Sequence, residues 1–305
     1  MMGTNQPSHS FGRLDEPSDE ITPNEQQGVE PSSSHYVYRQ LQTPADNTIT
    51  SSISSERKDT TADRLFRQAA DLHAGNKLVA AFALYMQAIE ECKDIATLAT
   101  QGNALFLLAN FKAALACYKR ALTIDPRHPD LLRNTGSTLH YIADQLLVNS
   151  NKATSSENAE ATYQSILKTY QEALMYYQNS LSIDPNNANT LFNYGVTVTA
   201  LFKLDQEYKK PALPSILKEA NDYLSQAIKL DSKHTLAMRQ RADNFACLEQ
   251  YNEAANDYEK LLILKPKDND AKFNLLLCRQ KIAENPSASE SVEEASASPS
   301  RCSIM

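Results

Sequence analysis

The sequence predicts an all-α chain built as a solenoid of stacked helix–turn–helix units, and three observations predict it. A small residue, an aromatic and a further packing residue recur at fixed spacing ahead of a proline. They read Ala114, Tyr118, Ala121, Pro126, then Ala173, Tyr177, Ser180, Pro185, then Ala254, Tyr258, Leu261, Pro266. Each copy follows an apolar helical run that carries a Gly or Ala, at Gly102, Gly136, Gly195 and Ala242. The regular copies recur at about 34 residues, a period at which each unit is one helical hairpin whose apolar face is covered only by its neighbours.

The units follow in order, about five of them. In the first, 62–94, Leu65, Ala69 and Leu72 mark one helix and Ala81, Tyr85 and Ala88 the other; it closes on Lys93-Asp94 rather than a proline. The second, 95–128, is the most regular, with Leu98, Gly102, Leu105, Ala114, Tyr118, Ala121 and Pro126. The third, 129–187, and fourth, 188–234, are stretched by insertions. One insertion lies between Leu147 and Tyr170 with a polar core from Asn149 to Asn158; the other is Lys203–Ser215, containing Pro211 and Pro214. Both fall at the turn inside a unit, so lengthened helices forming a lip along one rim are expected. The fifth unit, 235–268, is again regular. Residues 270–283 then read as an amphipathic capping helix, and a cap is expected to have a polar outer face.

The spacing has a packing origin. Small side chains let the two helices of a unit approach closely, while Leu and Tyr fill the space between units. The Asp-Pro or Lys-Pro closings end the second helix, because proline lacks an amide hydrogen and disfavours helix in the residue before it. Outside the 62–284 array, residues 1–58 and 285–305 are rich in Ser, Thr, Pro, Asn, Gln and Glu and poor in apolar residues. Such tails bury too little surface to offset their ordering entropy and are expected to be disordered. The segment Ser34–Leu41 stands out there for its tyrosines, either as a docking motif or arm that folds back onto the array, or as chance clustering.

These repeated residues resemble tetratricopeptide repeats. The resemblance implies a protein-binding scaffold or adaptor that holds an extended peptide or partner segment in a concave groove lined by the first helix of each unit. Carried over by position from the Gly/Ala residue, the groove is Thr100 and Asn103, then Arg133, Asn134 and Ser137, then Asn189 and Asn193, then Arg239, Gln240 and Asp243. Asn134 and Asn193 each lie two residues before their Gly, where some members carry an asparagine ladder that grips a peptide backbone; an amide can both donate and accept. The plain alternative is a set of exposed polar residues on amphipathic helices.

Chaperone-binding members clamp a C-terminal carboxylate between lysine and arginine side chains. In no frame does this chain supply those cations: the matching positions hold Asp130, Asn134, Asn189, Asn193, Leu236 or Gln240. Charge-assisted carboxylate bonds therefore have no donors. A chaperone-coupled import or assembly receptor remains the second reading, and a bacterial effector prenylated inside a host cell the third.

The last four residues, Cys302-Ser303-Ile304-Met305, form a prenylation box in which the terminal Met favours farnesyl. A single lipid chain gives marginal, reversible membrane binding, and the residues before Cys302 include three glutamates and only Arg301, so there is no polybasic second signal. The expectation is a cytoplasmic protein with reversible peripheral association through lipidated Cys302.

Composition bounds the rest. The formal net charge is −7, so the basic footprint of a nucleic-acid binder is absent. Five cysteines without a Cys-x-x-Cys fit a reducing compartment. Neither a phosphate-binding Gly-rich loop nor a Gly-x-Ser-x-Gly elbow occurs. No enzyme, cofactor, metal or small-molecule substrate is expected. His128 and His234 share the same inter-unit turn and read as structural; Cys92, Cys117, Cys247 and Cys278 read as core thiols.

Overall fold

The computed structural model describes residues 60–152 and 158–284. The expected tails at 1–58 and 285–305, with Ser34–Leu41 and Cys302, lie outside the described residues. All regular structure among the described residues is helical. The helices are α1 (Thr61–Ala74), α2 (Leu78–Glu91), α3 (Ile95–Leu107), α4 (Phe111–Ile124), α5 (Pro129–Lys152), α6 (Ala159–Ile183), α7 (Ala188–Glu207), α8 (Pro214–Leu230), α9 (Thr235–Cys247), α10 (Tyr251–Leu264) and α11 (Asn269–Glu284). They pair into five stacked hairpins, α1/α2 to α9/α10, followed by α11, and each helix packs chiefly on its neighbours in sequence.

The start of every first helix is fixed by the same device. The side chains of Thr60, Asp94, His128, Asn187, His234 and Asp268 each accept from the backbone N–H three residues on, at 2.7–3.5 Å. Each satisfies one of the amide donors that a helix N-terminus leaves unpaired. His128 and His234 therefore serve as caps through Nδ1. The four described hairpin turns share a second device. Asn76, Ala109, Lys209 and Glu249 adopt positive φ, between 53° and 60°. The residue after each returns its N–H to the carbonyl five positions back, at Leu72, Leu105, Asp205 and Phe245. This is a left-handed helix ending of the Schellman type, made here without glycine.

The small-residue pattern is a close approach within each hairpin. A Cβ on Gly102 would lie 2.6 Å from Cε1 of Tyr118, and one on Gly136 2.7 Å from Cε1 of Tyr177. In the fourth hairpin Leu224 stands where the other units have the tyrosine, 2.8 Å from a Cβ on Gly195. Among the described residues, the insertions in units three and four extend the flanking helices. α5 and α6 have 24 and 25 residues and α7 and α8 have 20 and 17, against 13 or 14 in the regular hairpins. The lengthened ends hold one another. Tyr163 donates to Asp205 at 2.8 Å, Tyr208 donates to Ser150 at 3.0 Å, and the two rings meet at 5.4 Å.

Two expectations are corrected. Cys92, Cys117 and Cys278 are buried, and burial pushes the Cys117 thiol up to about 12, but Cys247 is exposed rather than in the core. The outer face of α11 is only partly polar, with Lys272, Arg279, Gln280 and Lys281 exposed beside an apolar stripe. Ala271, Leu275 and Cys278 pack inward while Phe273, Leu276 and Leu277 on the opposite side are exposed.

Candidate functional site

The first helices α3, α5, α7 and α9 carry the residues that the repeat register assigns to a groove. Thr100 and Asn103 are exposed, Asn189 and Asp243 are half-buried, and Arg133, Asn134, Ser137, Asn193, Arg239 and Gln240 are buried. Burial brings most of them into a polar seam that runs from the second hairpin to α11.

The seam repeats by register. The second-helix tyrosine donates back to the residue one past the Gly/Ala position: Tyr118 to Asn103 at 2.6 Å, Tyr177 to Ser137 at 3.3 Å, Tyr258 to Asp243 at 2.5 Å. An asparagine of the following first helix donates to the same spot. Asn134 Nδ2 reaches Asn103 Oδ1 at 3.2 Å, Asn193 Nδ2 reaches Ser137 Oγ at 3.0 Å, and Asn274 Nδ2 reaches the Tyr258 hydroxyl at 3.2 Å. The asparagines thus form a ladder whose amide donors link one unit to its predecessor. Asn274 is a rung the sequence reading missed, since it lies in the capping helix; its place two residues before Leu276, where the other units have the Gly, was the available signal.

Two further clusters were also missed. Between α7, α8 and α9, Asn244 donates to Thr199 at 2.9 Å and to Asn221 at 3.0 Å, and Gln240 donates to Asn244 at 3.1 Å. Between α5 and α7, the wholly buried His140 meets Thr197 through Nδ1 at 2.8 Å. The Thr197 hydroxyl donates to the Asn193 carbonyl, so the ring nitrogen is the donor in that pair. His140 Nε2 then faces Asp144 Oδ2 at 3.6 Å with neither atom hydrogen-bonded, while Asp144 Oδ1 accepts from Tyr170 at 2.5 Å. Burial lowers the His140 pKa, against the opposing pull of Asp144; burial with the adjacent Asp144 drives the Tyr170 phenol well above its usual range.

The cations of the face are engaged. Arg133 pairs with Asp130 at 3.0 Å and Arg239 pairs with Asp268. Burial favours a higher pKa at Asp268, but the bonds from Arg239 and the Ala271 amide outweigh it and hold the carboxyl low. Arg241 makes a two-point contact with the buried Asp257, at 2.6 and 2.7 Å.

What the seam leaves open is acceptor capacity. The Oδ1 atoms of Asn134 and Asn193 are buried and receive no hydrogen bond, although both Nδ2 groups are committed. With the amide fixed on its donor side, each oxygen is held in one direction and waits for an N–H. No group of three His, Cys, Asp or Glu side chains is placed to hold a metal ion among the described residues, and no described helix is long and apolar enough to cross a membrane.

Residues 96–128 match the family profile of the tetratricopeptide repeat. No curated protein matches the chain. Among solved structures, the chain is similar to TTC0263, a thermophilic TPR protein of Thermus thermophilus, at 18% identity over 72% of this chain and 99% of that one, TM-score 0.45. It is similar to YrrB, a TPR protein with an unusual peptide-binding site, at 20% identity over 74% and 96%, TM-score 0.42. MamA from Desulfovibrio magneticus RS-1 matches at 15% identity over 69% and 99%, TM-score 0.45.

Proposed function

We propose that this chain is a non-catalytic protein-binding scaffold whose first-helix face takes up an extended segment of a partner, and that farnesylation of Cys302 brings it reversibly to membranes. The observation that carries the binding reading is the pair of buried, undonated oxygens on Asn134 and Asn193, in the same register of successive units. A buried acceptor without a donor costs about 1–3 kcal/mol. Both oxygens are covered in the unbound chain, so a peptide backbone laid along α5 and α7 reaches them only once the side chains over them move aside; its N–H groups would then relieve that cost, and in a dry site such bonds are strong.

The test is selection of extended peptides from a displayed random library on the full chain. Asn134→Ala and Asn193→Ala each weaken the selected peptides severalfold, as loss of about 1 kcal/mol per bond requires. Equal recovery by wild type and both variants would remove the ladder from the binding site.

The membrane half rests on the Cys302-Ser303-Ile304-Met305 box. The Cys302 thiolate attacks C1 of farnesyl diphosphate; a C–S bond forms, the C–O bond breaks, diphosphate leaves, and the thiol proton goes to solvent. Cys302→Ser moves a tagged chain from membrane to soluble fraction in a eukaryotic cell; unchanged fractionation ends this half.

A further inference from the structure

α11 is apolar on two opposite sides. Ala271, Leu275 and Cys278 pack against the last hairpin. Phe273, Leu276 and Leu277, at i, i+3 and i+4, form a stripe on the other side, with exposures of 60%, 64% and 43%. Lys272, Arg279, Gln280 and Lys281 are also exposed on this helix, so the three apolar side chains form a bounded stripe, and it has no cover among the described residues. In the repeat register Leu276 occupies the position that in the other units is a Gly or Ala against a second helix. The stripe is therefore the surface on which a second helix would lie.

We propose that this stripe cradles the farnesyl group of Cys302, holding the lipid out of water and out of the membrane; the inference rests on the farnesylation reading above. Three facts favour this occupant. The stripe offers on the order of 300 Å² of apolar side chain, short of the roughly 800 Å² per partner that a standard stable interface buries, but of the size of a functional apolar patch. It lies on the helix from whose end the lipid-bearing segment departs. Phe273 is 11 residues before Glu284, about 17 Å along the helix, while the 18 steps from Glu284 to Cys302 reach at most about 60 Å. The linkage makes binding intramolecular, with an effective concentration on the order of millimolar. Lastly, one lipid without a basic second signal holds a membrane weakly, so an internal apolar site competes with it on even terms.

The test uses the full chain farnesylated at Cys302 with purified transferase and checked by intact mass, then floated with phosphatidylcholine vesicles. The triple variant Phe273→Gln, Leu276→Gln, Leu277→Gln is expected to bind the vesicles severalfold better than wild type when farnesylated, and neither chain binds when unmodified. That direction is diagnostic, because the variant is the less apolar protein. The chain contains no tryptophan, so Phe273→Trp gives a single reporter whose emission shifts to shorter wavelength on farnesylation. Equal vesicle binding with no emission shift overturns the cradle while leaving the tether intact. An unmodified wild-type chain that dimerises or binds vesicles through the stripe also overturns it, in favour of a second copy or the bilayer surface. A mass without the farnesyl increment ends the tether and the cradle together.

Discussion

The middle of the array and its C-terminal end invert the usual distribution of polarity in opposite directions. In α5 and α7 every residue from 131 to 141 and from 190 to 200 is buried, and ten of these 22 are polar or charged. In α11 the side facing away from the array exposes the apolar stripe of Phe273, Leu276 and Leu277. The difference shows that burial here follows from which neighbours exist rather than from hydropathy. The middle helices have neighbours around most of their surface and meet much of the cost of buried polar groups with bonds across hairpins, leaving the Oδ1 atoms of Asn134 and Asn193 without a donor. The last helix has a neighbour on one side only and keeps an apolar surface where the next helix would be.

The sharpest way to break this comparison is to press on the tight side. Gly136→Ala puts a methyl 2.7 Å from the ring of Tyr177, which is fully buried, and 3.0 Å from the Ala173 carbonyl. Neither can move freely, so the expected loss is about 2–3 kcal/mol, the scale of overpacking in a close-packed core, read as a lower denaturation midpoint in urea. Tyr170→Phe comes next. It removes the donor to Asp144 Oδ1 while the second Asp144 oxygen already lacks one. Leaving a mostly buried carboxylate short of donors costs about 2 kcal/mol, measured by the same titration.

These two positions show how much the sequence disclosed. The Gly136–Tyr177 approach was legible, because the spacing of small and aromatic residues is a packing rule that repeats in every regular unit. The hairpin order and the extra length of units three and four followed from the distances between the unit closings at Pro126, Pro185 and Ser232. Asp144, Tyr170 and His140 were not legible, since their meeting depends on how lengthened helices overlap, and that overlap has no counterpart in the regular repeats. The asparagines at 134 and 193 were legible as a register but not in their use. A polar residue on the first helix reads as open to ligand until the tyrosine behind it and the amide beside it are seen to occupy it. The αL turns at Ala109, Lys209 and Glu249 carried no glycine to mark them.

The middle is also where pH should act. His140 and His234 are buried with pKa values lowered by that burial. A histidine that resists protonation when folded takes up protons more readily unfolded, so stability is retained above the unfolded value of 6.5 and falls as pH drops below it. Urea midpoints measured from pH 7.5 to 5 should decline, and His140→Gln should flatten part of that slope. A slope unchanged in the variant would remove His140 as its origin. No described residue of α11 adds to this effect, because that helix contains no histidine.

A smaller effect of opposite sign is expected between the two regions. Glu249 closes α9 at φ 60°, a conformation that costs a residue with a Cβ about 1 kcal/mol and glycine almost nothing. Part of the gain is offset by the greater freedom of glycine in the unfolded chain. Glu249→Gly should therefore stabilise by roughly 0.5 kcal/mol, visible as a small rise in thermal midpoint.

The smallest effect is expected at the end, and it matters most for the comparison. Leu276→Ala deletes a large apolar side chain, and in the middle of the array a change of that kind costs about 2–5 kcal/mol. On the outer side of α11 the same deletion removes a side chain that is 64% exposed. Little burial is lost, no cavity opens, and alanine is the better helix former. The unmodified chain should thus change by less than about 0.5 kcal/mol in either direction. If the stripe covers a lipid, however, the substitution acquires a cost in the farnesylated chain that it lacks in the unmodified one, because the apolar contact exists only there. Urea titrations of both forms, with and without Leu276→Ala, give that difference directly. A large destabilisation in the unmodified chain would mean that the helix already has a partner on that side, and the contrast between a covered middle and an uncovered end would fail.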